Sequence, residues 1–319
     1  MLHTISFNIR LNKYETDTII NKFNIINDCY QDLSDFINYD GITLAYIREK
    51  EMFPKIFLYI DCIKLLGRSK ISIDDFEFIE SVLNDIRVEL LLYNKEFKLS
   101  RIDYRCDVLV EDFEVRKVLF NIYNKYLKKT AYMKKVDVYN KYDKTSNADF
   151  SIRYANGSKA LNIYDKEEER KAKDEYIMEY EKDIIRFEAQ VNSSRIKYLN
   201  KKYGIKSRLK DYFTEEMYNK CMEECIIKVI RTGDYYNKYH AFKRINNSEF
   251  TSVHKKNMKK FLLMVANKRS LEAGKKEFKN RYRTILKNLE KLNINPVLIA
   301  KNTLMTKIEN PIKDILLKK

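Results

Sequence analysis

The sequence predicts an α+β protein, with a mainly antiparallel N-terminal sheet and flanking helices followed by a basic, all-helical C-terminal region. Three observations carry this. Gly and Pro are scarce, at 6 and 3 residues in 319, which favours long helices beside a modest sheet over turn-rich sandwiches and barrels. Period-two alternation recurs up to Val191, and helical spacing takes over beyond it. Charge is segregated as well: residues 1–200 hold 33 Lys+Arg against 34 Asp+Glu, whereas residues 201–319 hold 29 against 12. A boundary near residue 200 follows, with 1–200 as the α+β domain and 201–319 as the basic helical region. The 45% hydrophobic content is enough for a real core.

Taken in order, Leu2 to Arg10 alternates as an opening strand. From Thr16 to Phe36, Ile19, Phe23, Ile26 and Tyr30 recur at helical spacing. Ile42 to Ile47 and Lys55 to Ile63 are strand candidates. Ser72, with Asp75 three residues on, has the form of a capping box, and Phe76, Ile79, Leu83, Ile86 and Leu90 make an apolar stripe behind it. A strand over Arg101 to Val110 precedes a helix from about Glu114 to Lys129. Asn156-Gly157 is a strong hairpin signal that pairs the strand before it with the one around Tyr164. Lys166 to Lys182, almost entirely charged, is either an exposed helix or a mobile segment, and Ile184 to Val191 is a further strand. Phe278, Tyr282, Ile285, Leu289 and Leu292 mark one helix that stops before Pro296.

The net charge of +16 suggests a polyanionic partner, and its concentration after residue 200 points to nucleic acid rather than a merely solvated helical surface. No apolar run is long enough to span a membrane and no secretory signal opens the chain, so no membrane partner and a cytoplasmic location are expected. The five cysteines show no disulfide framework, and Cys221 and Cys225 read as core positions. His3, His240 and His254 are scattered, which disfavours a nicking enzyme with paired histidine ligands and any zinc hydrolase. A P-loop pattern is missing, which argues against a helicase or ATPase.

Three strands share one organisation. In the run around Tyr164, Leu161 and Ile163 fall on one face, and Asn162, Tyr164 and Lys166 fall on the other. Arg101, Asp103 and Arg105 oppose Ile102, Tyr104 and Cys106; Arg186, Glu188 and Gln190 oppose Ile185, Phe187, Ala189 and Val191. Apolar backs with complementary charged fronts suit phosphate chemistry. A tyrosine phenol attacks phosphorus only when nearly deprotonated, which its ordinary pKa of about 10 makes costly at neutral pH. A neighbouring Lys166 and a divalent ion would lower that cost, and Asp103, Glu188 and Glu169 are hard oxygen ligands suited to Mg²⁺ or Mn²⁺. The bland reading stands beside this one. Glu167 and Glu168 suit the acidic first turn of a helix, and Arg101 with Asp103, or Arg186 with Glu188, suit exposed ion pairs on a solvated sheet face.

The order Ser100-Arg101-Ile102-Asp103, then Ile163-Tyr164-Asp165-Lys166-Glu167-Glu168-Glu169, then Ile185-Arg186-Phe187-Glu188-Ala189-Gln190-Val191 resembles the filamentous-phage gene II replication protein family. It is also similar to the trans-acting rolling-circle initiators of small plasmids. The similarity extends into Ser194 to Leu199 and to the basic tail Lys275 to Leu292. It implies a protein that nicks one strand at a replication origin, stays joined to the 5′ phosphate through tyrosine, and later rejoins the strand. Tyr164 would then be the nucleophile, assisted by Lys166, with Asp103, Glu169 and Glu188 as metal-site carboxylates for Mg or Mn. Single-stranded and origin duplex DNA are the implied partners, with room for a host helicase and a homodimer. The expected DNA contacts are Arg101, Arg105, Arg186, Arg195, Lys275, Lys279, Arg283 and Lys287. A mobilisation relaxase with the same chemistry, or a non-catalytic nucleic-acid-binding protein using Tyr and Arg to stack on bases, are the alternatives.

Overall fold

The computed structural model describes residues 1–26, 29–48, 53–126, 129–130, 133–136 and 149–313. The strands are β1 (Leu2–Arg10), β2 (Tyr30–Asp32), β3 (Ile42–Ile47), β4 (Lys55–Asp61), β5 (Lys98–Leu109), β6 (Lys129–Thr130), β7 (Met133–Val136), β8 (Ser151–Ala155), β9 (Lys159–Asp165), β10 (Ile184–Asn192), β11 (Tyr235–Tyr236) and β12 (Lys307–Ile308). An antiparallel sheet with flanking helices, then a largely helical C-terminal region, is the α+β class the sequence implied. Among the described residues no helix is long and apolar enough to cross a membrane.

The chain divides into two compact units, and a single cut near residue 200 does not separate them. One unit comprises Met1–Arg105, Gly157–Lys159 and Ala189–Cys221; the other comprises Cys106–Asn156, Ala160–Glu188 and Met222–Lys319. The reason lies in β5 and β10. Each passes from one unit into the other partway along its length, so sequence order and compactness part company.

In the first unit, strand order is β2-β3-β4-β1-β5. β1 pairs antiparallel on both sides, setting Ile5 opposite Ile60 and opposite Ile102. All three are fully buried, which is what an alternating strand between two partners should give. The Ser72 capping box forms, and the helix Phe76–Glu89 behind it buries Ile79, Val82, Leu83 and Ile86. Tyr104 donates to the Tyr212 carbonyl at 2.7 Å, so its hydroxyl stays satisfied in the core. The first helix is shorter than its periodicity suggested. It spans Lys13–Phe23 and stops because Asn24 adopts the left-handed conformation at φ 48°; Ile26 beyond it is almost wholly exposed. β4 likewise ends at Asp61, whose side chain accepts from the backbone N–H groups of Ile63 and Lys64 and starts the short helix Cys62–Leu66.

In the second unit, strand order is β10-β9-β8-β7-β6. The hairpin expected at Asn156-Gly157 is present, with Ala155 opposite Ala160 and Arg153 opposite Asn162. The helix Phe113–Tyr126 packs by Phe120 against Phe150 at 5.6 Å, and Tyr154 donates to the Tyr123 carbonyl at 2.9 Å. In the C-terminal part, Phe261 of the helix Ser252–Lys268 packs on Phe278 and Tyr282, with ring centroids 5.6 and 5.8 Å away. The single helix expected through Phe278 and Leu292 is two, Leu271–Phe278 and Tyr282–Lys291, separated at Lys279 by a backbone at φ 41°. β11 and β12 form a two-stranded ladder, so this region is not helical throughout. Beside it, buried Asp234 binds Lys313 at 2.7 Å and Lys307 at 3.2 Å. Cys221 and Cys225 are buried.

Candidate functional site

The hairpin and β10 place four polar side chains in one hydrogen-bonded chain. Alternation along β9 buries Leu161 and Ile163 completely and leaves Asn162 and Tyr164 half-buried on the other face. The Tyr164 hydroxyl donates to Glu188 Oε1 at 2.5 Å. Asn162 Nδ2 donates to Glu188 Oε2 at 3.3 Å. Asn162 is itself oriented, because its Oδ1 accepts from Arg153 Nη1 at 2.6 Å. Glu188 is only 5% exposed, whereas Tyr164 retains partial exposure. The phenol hydroxyl of a half-buried tyrosine therefore rests on a carboxylate sheltered from water.

Two ion-pair groups flank this chain. Arg186, 2% exposed, is held by Asp107 through Nε at 2.7 Å and Nη2 at 2.9 Å, and its guanidinium lies 6.0 Å from the Tyr164 ring centroid. The Lys166 ammonium lies at the same distance from that ring and binds Glu169 at 2.5 Å and Glu181 at 3.6 Å. Asp165, between Tyr164 and Lys166, accepts from Glu167 and Glu168 N–H to start the helix Lys166–Ala172. It also takes a 2.7 Å bond from buried Arg116, whose Nη1 reaches Asp183 at 2.5 Å. The strand-to-helix corner that carries both Tyr164 and Lys166 is thus pinned from three sides.

Burial, and then the Glu188 charge, push the Tyr164 phenol well above its ordinary pKa, while Arg186 pulls the other way. Burial raises Glu169, but Lys166 and Lys173 outweigh it and leave the carboxyl below the usual range. The Asp165 carboxyl is raised, mainly by burial, against the N–H of Glu168 and the Arg116 guanidinium.

Tyr164, Lys166, Glu169, Glu188 and Arg186 thus belong to one neighbourhood. Asp103 belongs to the other unit, where it accepts from Thr4 at 2.7 Å and from Arg101 Nε at 2.9 Å. Glu167 and Glu168 do occupy a first helical turn, both paired with Lys171. The charged front of β10 is not a solvated face, since Arg186, Glu188 and Gln190 are all buried. Arg186 pairs with Asp107 as an ion partner. Burial removes Arg186 and Arg105 as surface contacts for DNA; Arg105 donates to the Ser69 carbonyl. Arg101 remains partly exposed beside Asp103, and Arg195 lies over the Tyr198 ring at 4.5 Å. Lys275, Lys279, Arg283 and Lys287 are all exposed.

The carboxylates expected as metal ligands each accept hydrogen bonds from protein groups. Glu188 accepts from a phenol and an amide, Glu169 from two ammonium groups, and Asp103 from a hydroxyl and a guanidinium. Among the described residues no group of three or more His, Cys, Asp or Glu is placed to hold a metal ion. Asn162, Arg153, Asp107 and Arg116 complete the site and had no assigned role in the sequence. Asp107 was within reach of the pattern, as the next member of the alternation Arg101, Asp103, Arg105. Arg116, on a helix, carried no such signal. Compared with known proteins, the chain matches no protein-family model and no curated protein.

Proposed function

We propose that this protein cuts and rejoins single-stranded DNA by tyrosine transesterification, as a rolling-circle replication initiator does, with Tyr164 as nucleophile and Glu188 as general base. The 2.5 Å hydrogen bond from Tyr164 to Glu188 carries the reading. It pairs a nucleophile with a base that a third group, Asn162, orients. Glu188 takes the phenolic proton as the Tyr164 oxygen bonds phosphorus; the P–O3′ bond breaks, and the departing 3′ oxygen takes a proton from water. The reverse sequence rejoins the strand. Full proton transfer from an ordinary phenol to an ordinary carboxylate is uphill by about 8 kcal/mol, so transfer accompanies attack and does not precede it. The Arg186 guanidinium near the ring lowers the cost of the developing phenolate. The buried, water-excluded carboxylate makes each of these interactions stronger than on an open surface.

The test mixes the protein with end-labelled single-stranded DNA, with and without Mn²⁺, beside Tyr164→Phe, and looks for a denaturation-resistant protein–DNA adduct. The wild type should form one and the variant should not; adducts in both, or in neither on DNA from the source replicon, refute the assignment. A second reading, binding without chemistry, is favoured by two observations: Lys275, Lys279, Arg283 and Lys287 are exposed, and the Tyr164 proton is held more tightly than usual. It predicts metal-independent binding and no covalent product.

A further inference from the structure

The second unit contains a cavity of about 690 Å³ between the start of the helix Lys238–Asn246 and the segment 299–303. Its wall carries two aromatic rings, Tyr239 and Phe242, and three lysines, Lys238, Lys243 and Lys301, with no carboxylate among its lining residues. A fourth ammonium, that of Lys259, lies 5.7 Å from the Phe242 ring, as does that of Lys238. Lys259 donates to the neutral side chain of Asn246. This differs from the helix Lys166–Ala172, where Lys166 and Lys171 each bind carboxylates.

Concentrating ammonium groups in a concave wall raises the local positive potential and favours a polyanion there. The rings indicate which polyanion. Tyr239 is 68% exposed, so its ring is not spent on the core. Inorganic phosphate or a carboxylate gains little from such a ring, whereas a nucleobase gains stacking that is tolerant of sequence. Base pairs of a duplex keep their faces covered by their neighbours, so the ligand that offers a free base face is a single strand.

We propose that this cavity is a binding subsite for single-stranded nucleic acid, in which a base stacks on Tyr239 and the flanking phosphates lie on Lys238, Lys243 and Lys301. The subsite shares its partner class with the transesterification reading but needs no reaction at Tyr164, so either can fail alone.

Fluorescence anisotropy of a labelled oligothymidylate, titrated with the full chain over a range of salt, tests it. Tyr239→Ala should weaken binding about tenfold, and Tyr239→Phe should leave it unchanged. Lys243→Ala and Lys301→Ala should each flatten the dependence of log affinity on log salt by about 0.7. An abasic strand of the same length should compete poorly, and tripolyphosphate more poorly still. All three substituted positions lie on the surface, so circular dichroism should report an unchanged fold. The proposal is overturned if Tyr239→Ala binds like wild type, if the abasic strand competes as well as oligothymidylate, or if the lysine variants keep the wild-type salt slope.

Discussion

Replacing Glu188 by Gln separates the chemical role of this carboxylate from its structural one. Glu188 accepts from the Tyr164 hydroxyl at 2.5 Å and from Asn162 Nδ2 at 3.3 Å. Asn162 cannot turn its amide over without giving up the Arg153 bond at 2.6 Å. A glutamine fits all the same: its oxygen accepts from Asn162 and its Nε2 donates to the phenol oxygen, because a tyrosine hydroxyl both donates and accepts. Both contacts keep a hydrogen bond, one of them reversed so that the phenol proton loses its acceptor, and Glu188→Gln should therefore cost about 1 kcal/mol or a little more, less than the alanine variant. Chemistry should suffer far more. The phenolic proton then points away from any base, and losing a positioned general base costs about 10²- to 10⁴-fold, or roughly 3–5 kcal/mol of barrier.

Glu188→Ala makes the contrast. It leaves two donors without an acceptor in a part-buried site, at about 1–3 kcal/mol each, so it should lose both stability and rate. The assay is the single-turnover rate of adduct formation against pH, with a thermal melt of each variant. Both the Glu188 charge and its hydrogen bond hold the phenol up, so in Glu188→Gln the Tyr164 pKa should fall. The residual rate should then climb with pH, as phenolate formation takes over from the missing base. A glutamine variant that forms adduct at the wild-type rate with a wild-type pH profile would falsify the role of Glu188 as base.

Three further outcomes follow from the packing. Arg186→Ala leaves Asp107 without its bidentate partner; Asp107 keeps 25% side-chain exposure, so the loss should sit at the low end for a broken buried pair, about 3 kcal/mol by urea unfolding, and a loss under 1 kcal/mol counts against it. Gly274→Ala should lower the melting temperature although alanine favours helices by about 1 kcal/mol. Its Cβ would overlap the Phe261 ring, which Phe278 and Tyr282 hold in place, and overpacking of this kind costs about 1–3 kcal/mol; an unchanged or raised melting temperature contradicts this. Burial raises the Asp234 carboxyl, but Lys313, the Asn310 N–H and Lys307 outweigh it and leave the pKa below the ordinary value. Such a group stabilises the fold above its unfolded pKa of about 3.9 and loses that contribution as pH falls through the folded value. Asp234→Asn should therefore be less stable than wild type at neutral pH and converge with it in acid, and a stability gap that persists in acid refutes the linkage.

Where one physical rule acted alone, the sequence was readable. Period-two alternation assigned the buried backs of β9 and β10, because a strand has only two faces and Leu161, Ile163, Ile185 and Phe187 leave no choice. Rules in competition misled. The stripe Ile19, Phe23, Ile26, Tyr30 kept helical spacing past Phe23, yet the Asn24 backbone turned left-handed and overrode it. Asn156-Gly157 located the hairpin but not its register: a two-residue turn there would set Arg153 opposite Ala160, whereas the longer loop sets it opposite Asn162. That two-residue difference is what brings Arg153 to the Asn162 amide.

Burial was the part no pattern contained, and it bears on what the site is for. Alternation shows that Arg186 and Glu188 share a face, but not whether that face meets water. Alone, an exposed front would have favoured surface ion pairs of small worth. The front of β10 is buried, and burying a charge is unfavourable unless partners meet it, so that well-packed apolar residues often serve stability as well or better. Arg186 meets that demand through Asp107, and the same demand applies to Glu188 with Tyr164 and Asn162. A fold selected for stability alone has little reason to keep a phenol on a buried carboxylate with an amide to orient it. A phenol that must be deprotonated away from water has such a reason, and this is why the Tyr164–Glu188–Asn162 chain, and not the number of charges nearby, is the feature on which the proposed chemistry stands.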